Sequence, residues 1–284
     1  MNNERESTLE PQSEMKKNRR DHYIPQGYLR GFINPWRLQN PRPLWFFDVP
    51  NSVWSERSPR EICYRPGFYD YATQEISETA EEDFRDLENT YPQVRKSLLK
   101  SKFENWQEFL EFLLCFMQMM RARSLLFFEE TQREGKDLRA FTIEEVSSDR
   151  MSVKLRSMTP EPLPDHFIRN WTITKMREEI DQGASWLMNF HWCLRYCDSP
   201  DTPFVISEAP LMASGRSENA IDIFRDRDAL LFFPLCWQAC LIGSVARFEQ
   251  ETGRFGEEDM RRVVRMYRES AKLFVLGPRK IDFC

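Results

Sequence analysis

Histidine is scarce in this chain, with three among 284 residues, at positions 22, 166 and 191. Imidazole chemistry therefore has few places to occur. No run of about 18 consecutive apolar residues is present, which argues against a transmembrane helix. The N-terminal segment MNNERESTLEPQSEMKKNRR lacks the apolar core of a secretory signal. Ten glycines and 17 prolines are too few for a fibrous or low-complexity chain. There is no Walker loop, no Gly-x-Gly-x-x-Gly and no His-Glu-x-x-His, which removes common nucleotide-binding and metalloprotease readings. Neither charge dominates: 40 basic against 45 acidic side chains give a net charge of -5, with no overall pull toward nucleic acid or membrane.

What is abundant is material for a core. Hydrophobic residues make up 41% of the chain, including 22 Phe and 8 Trp. Seven cysteines are an odd number without framework spacing, which reads as reduced thiols in a cytoplasm. Cys193-x3-Cys197 and Cys236-x3-Cys240 sit in apolar, strand-like sequence, so they are read as core cysteines rather than zinc ligands. Cys63 and Cys284 stay unassigned, and Cys115 is placed in the core.

Residues 1–20 are polar and aperiodic and read as a tail, with a basic cluster at Lys16, Lys17, Arg19 and Arg20. Residues 21–284 read as one domain. Pro25 begins a short helix carrying Tyr28, Leu29 and Phe32. Residues 44–49 read as a strand between prolines, with its partner starting at Trp54. Residues 77–99 read as a helix capped by Thr79, with Glu81, Glu82 and Asp83 in its first turn and a kink at Pro92. Residues 103–128 give the strongest helical signal, apolar nearly all round, and predict one central buried helix. A polar connection follows over 132–164, extended where prolines cluster, and then a helix over 165–186. Short bulky strands are expected at 192–196, 203–207, 229–234 and 239–243, then a helix over 260–272 and a strand at 273–276. Segregated helices and strands give an α+β class with a helical middle and a mostly antiparallel C-terminal sheet.

The most informative segment is Asp21-His22-Tyr23-Ile24-Pro25-Gln26, which continues to Tyr28, Arg30 and Phe32. It resembles the opening block of the domain-of-unknown-function 4238 (DUF4238) family, His-His-Tyr-x-Pro-Gln. Further blocks are similar. Gly67-Phe68-Tyr69 matches an Asn-Phe-Tyr step, and Glu81 and Glu88 match two acidic residues seven apart. Gln118-Met119-Met120-Arg121 matches a Gln-x-x-Arg segment, although Ala122-Arg123 replaces the usual Thr-Pro. Phe204 to Pro210 resembles Phe-x-Thr-Ser-Asp-x-Pro with Glu208 for Asp, and Phe233-Pro234-Leu235 matches Phe-Pro-Leu. The resemblance implies a fold unit and a set of positions, and carries no established biochemistry.

His22 fits either a general acid or base, a metal ligand, or an imidazole bonded within the fold. Glu81 and Glu88 lie two turns apart on one helix face, about 10.5 Å along the axis, too far to chelate one ion together. Arg121 has the fork to clamp a phosphate or carboxylate, or to form a buried pair with Glu88. Ser207 and Glu208 follow a strand. No Gly-x-Ser-x-Gly elbow surrounds Ser207, so it is not read as a nucleophile. Gln26, Arg30, Gln118 and Ser207 are the candidate substrate-binding residues. Two functions stand. One is phosphodiester hydrolysis of RNA or DNA by His22, Glu81, Glu88, Arg121 and Glu208, where a divalent metal ion is one cofactor such a site would accept. The other is a non-catalytic binding or interaction protein whose polar residues form a structural network, with a small-molecule pocket as a variant.

Overall fold

The computed structural model describes residues 20–33, 43–71, 80–137, 139–147, 152–198, 201–214, 226 and 228–282. Residues 1–19 of the expected tail, the Thr79 cap and Cys284 lie outside these residues, whereas Arg20 already belongs to a strand.

The opening block divides at Pro25. Arg20–His22 forms strand β1, and Gln26–Leu29 forms helix α1, which runs on as a 3-10 turn over Arg30–Phe32. Strands β2 (Leu44–Asp48) and β3 (Val53–Arg57) make a hairpin, and β4 (Tyr64–Pro66) pairs antiparallel with β1, setting His22 opposite Tyr64. Helix α2 spans Glu81–Lys100, with Glu81, Glu82 and Asp83 favourably placed against its N-terminal dipole.

The single helix expected over 103–128 is three pieces: a 3-10 turn at Trp106–Phe109, α3 at Leu110–Ala122 and α4 at Leu125–Asp137. Lys102 and Phe103 take positive φ, so no helix starts there. The second break is polar. Ser124 Oγ donates to the Arg121 carbonyl at 2.8 Å and accepts the Phe127 amide at 3.1 Å, so the hydroxyl ends one helix and begins the next. The polar connection also differs from expectation: β5 (Arg139–Ser147) and β6 (Ser152–Pro162) form an antiparallel hairpin. Helix α5 runs over Asp165–Asp181 and stops short of 186, because Gly183 adopts φ +68° just beyond its last turn.

The remaining elements are β7 (His191–Tyr196), β8 (Ile206–Ser207), β9 (Met212–Ser214), β10 (Leu230–Cys236), β11 (Ala239–Ser244), β12 (Thr252–Arg254), α6 (Glu257–Ser270) and β13 (Phe274–Gly277). Five strands form a sheet ordered β12-β7-β11-β10-β9, antiparallel except for the β12–β7 pair. A second sheet has the order β3-β2-β13-β8. The protein is a single α+β domain with a buried helical middle. No helix among the described residues is long and apolar enough to cross a membrane. All six described cysteines are free, and burial pushes the Cys193 thiol up to about 11 and Cys197 up to about 12.

The opening block docks where β10 is irregular. Pro234 stands in an interior strand, and the ladder slips between Pro234 and Cys236. Two buried tyrosines reach the carbonyls there: Tyr28 donates to Pro234 and Tyr91 to Leu235. Tyr28 also packs on Phe116 of α3, so the opening block meets the central helix. Its helix-to-helix partner, however, is α2. Gly27 permits this approach, since a Cβ there would lie 3.2 Å from Pro92 Cγ. Tyr28→Phe leaves the Pro234 carbonyl buried without its donor. It should lower stability by about 1–3 kcal/mol, read as a shift of the urea unfolding midpoint at unchanged slope.

Candidate functional site

Two neighbouring regions receive the candidate residues, and the α3–α4 break joins them. On one side lies Arg123, which is 1% exposed. Its Nε donates to the Tyr69 hydroxyl at 2.6 Å, its Nη1 pairs with Glu88 and its Nη2 donates to the His22 carbonyl. The guanidinium lies 4.6 Å from the Phe84 ring centre and 5.0 Å from that of Tyr69. The Tyr69 hydroxyl in turn donates to the His22 carbonyl at 3.2 Å. Burial pushes the Tyr69 phenol up to about 12, with Asp21 and Glu81 adding to the shift and Arg123 opposing it. Of the two acidic residues seven apart, Glu88 joins this network by contact with Arg123. Arg169 holds the preceding turn, donating to the Gly67 and Asp70 carbonyls.

His22 enters this network through its backbone. Its ring turns to Tyr64, with centroids 5.7 Å apart, and Nδ1 lies 3.2 Å from the Arg20 carbonyl oxygen. Nε2 is buried and makes no hydrogen bond of standard geometry among the described residues. Burial lowers the His22 pKa below 6.5; the carbonyls of Arg20 and Pro59 oppose this, and the Arg123 charge adds to it.

On the other side of the break is a cavity of about 460 Å³, whose lining includes Arg121, Ser124, Trp186, Ser207, Glu208 and Lys272. Three candidates thus meet there. The expected Arg121–Glu88 pair is not formed, because Arg123 occupies Glu88. Arg121 binds Glu179 of α5 at 2.6 Å, its guanidinium beside Phe127 and Trp186. Gln118 completes that clamp, donating to Glu179 Oε2 at 2.9 Å and accepting the Trp186 indole N–H at 2.8 Å. Glu208 is buried, and its carboxylate accepts the amides of Lys272, Leu273 and Phe274 at 2.6, 3.1 and 3.3 Å. Ser207 Oγ closes a local turn with Ala209. Gln26 is half-buried at the start of α1, and Arg30 is exposed on the following turn; neither is among the residues lining the cavity. No group of three or more His, Cys, Asp or Glu among the described residues is placed to hold a metal ion.

The profile of a family described as a protein of unknown function, DUF4238, matches residues 20–263. The chain belongs to the DUF4238 family. No curated protein and no solved structure matches it. The family-like blocks at 21–32, 67–69 and 81–88 converge on Arg123, the residue standing where the usual segment has Thr-Pro. Sequence reasoning missed Arg123, Tyr69, Glu179 and Lys272. The available signal for Arg123 was a second arginine, two residues past Arg121, on an otherwise apolar helix.

The sign of the His22 shift makes a test. A folded-state pKa below the unfolded value means stability is complete above pH 6.5 and falls as pH drops through the folded value. His22→Gln should flatten the stability profile between pH 7 and pH 5, measured by urea unfolding.

Proposed function

We propose that this DUF4238 protein is a non-catalytic binding protein. In this reading the His/Glu/Arg residues form a structural network, and the cavity beside Arg121 and Glu208 receives a ligand. The observation that carries it is the state of His22: its Nε2 is buried and its Nδ1 lies at the Arg20 carbonyl. A general base must reach the proton it removes. The other charged candidates support the same reading. Glu88 holds Arg123, Arg121 holds Glu179, and Glu208 holds three backbone amides.

Lining charge points the same way. Glu129, Glu130 and Glu208 face the cavity with Arg121 and Lys272, and Arg121 is already paired. Such a lining attracts a polyanion weakly, which favours a ligand other than nucleic acid. Free, buried cysteines suit a reducing compartment such as the cytoplasm.

Phosphodiester hydrolysis with a nucleic-acid partner makes the opposite forecast for one variant. Under the binding reading the parent leaves RNA and DNA intact with or without added divalent metal. His22→Ala then lowers stability by about 1–2 kcal/mol through lost ring packing. Cleavage by the parent that disappears in His22→Ala, at an unchanged melting temperature, would reject the binding reading.

A further inference from the structure

One wall of the cavity is a sheet face: Ala213 of β9 and Leu231 of β10 are cross-strand partners, and both line it. The first turns of α4 supply Leu125, Leu126 and Phe127, and Trp186 adds a second aromatic side chain. Polar side chains line it too, and each either has a partner in the fold or is exposed to water. Ser124 Oγ is held between the Arg121 carbonyl and the Phe127 amide, and Ser207 Oγ closes its turn with Ala209. Ser270 Oγ lies 3.3 Å from the Tyr267 carbonyl oxygen, and the Trp186 indole donates to Gln118. Among the charges, Arg121 is paired with Glu179, and the Glu208 carboxylate accepts the amides of Lys272, Leu273 and Phe274. Glu130 is likewise engaged, whereas Glu129 and Lys272 are exposed.

We infer that this cavity takes an uncharged, mainly apolar small molecule. This rests on the binding reading above and names the ligand class. A polar ligand group needs partners that the protein has not already used, and the enclosed side chains have used theirs. An ionised ligand would give up its water without gaining a counter-ion inside. The lining charges disfavour both signs: Glu129, Glu130 and Glu208 oppose an anion, and Arg121 and Lys272 oppose a cation. An apolar body, by contrast, covers the leucines and the β9–β10 face, and removing that surface from water drives association. An aromatic body gains ring contacts with Phe127 and Trp186 as well. The volume of about 460 Å³ is that of a site for a drug-sized ligand.

The test uses the full chain and three probes of one shape, naphthylmethanol, naphthoate and naphthylmethylammonium, titrated by calorimetry near neutral pH. Naphthylmethanol is expected to bind at least about tenfold more tightly than either ion, since only the ions bury an unpaired charge. Ala213→Trp sets a large ring on the lining sheet face and should weaken naphthylmethanol binding by about tenfold, through lost space. The ranking of the probes on the parent decides the question even if that variant folds poorly. Naphthoate or naphthylmethylammonium binding as tightly as naphthylmethanol overturns the inference and leaves the binding reading standing. Naphthylmethanol binding unchanged in a folded Ala213→Trp variant also overturns it, because the probe then sits elsewhere. Binding of none of the probes rejects both the inference and the binding reading.

Discussion

A buried guanidinium has to be neutralised where it lies, and Arg123 imposes that requirement on much of this protein. Its partners come from separate parts of the chain: the His22 carbonyl from β1, Tyr69 from the turn after β4, and Glu88 from α2. Each contact ties a different element to the end of α3. Removing any partner leaves buried polar groups unsatisfied, so the arrangement is accepted as a whole. The break between α3 and α4 belongs to the same constraint. Arg123 turns into the network, while Ser124 restarts the helix and lines the cavity.

The second dependence lies at Pro234. A proline in an interior strand removes a ladder donor, and the adjacent irregularity leaves carbonyls to be satisfied from outside the sheet. Tyr28 and Tyr91 do so, and Tyr91 stacks on Phe116 with ring centres 4.1 Å apart. Helices α1, α2 and α3 are thereby registered against one point of the sheet. Together the two constraints explain why short blocks far apart in sequence are matched to one another.

Much of the fold was legible, because periodicity reports burial directly. The β2–β3 hairpin, the strands β7, β10 and β11, and the closing α6–β13 unit appear close to where alternation and bulk place them. The break within 103–128 was hidden because Arg123 and Ser124 are two polar residues in a strongly apolar run. The β5–β6 hairpin was hidden by its polar composition. The candidate residues were legible as positions, while the partners each takes in the fold were not. His22 stood out as a rare imidazole, yet it meets Arg123 and Tyr69 through its backbone carbonyl. Arg121 and Arg123 are chemically identical in sequence, and only the three-dimensional path of α2 and α5 assigns Glu88 to one and Glu179 to the other.

The network depends most directly on the coupling between Arg123 and Glu88. A double-mutant cycle by urea unfolding, with Arg123→Met, Glu88→Leu and the double variant, measures it. Each single change should cost about 3–5 kcal/mol, since each strands a partner in a largely buried site. The double variant should cost less than their sum by about 2–3 kcal/mol, the size expected for residues in one network. Strictly additive losses, or single losses below about 1 kcal/mol, would contradict the claim that this buried pair organises the fold.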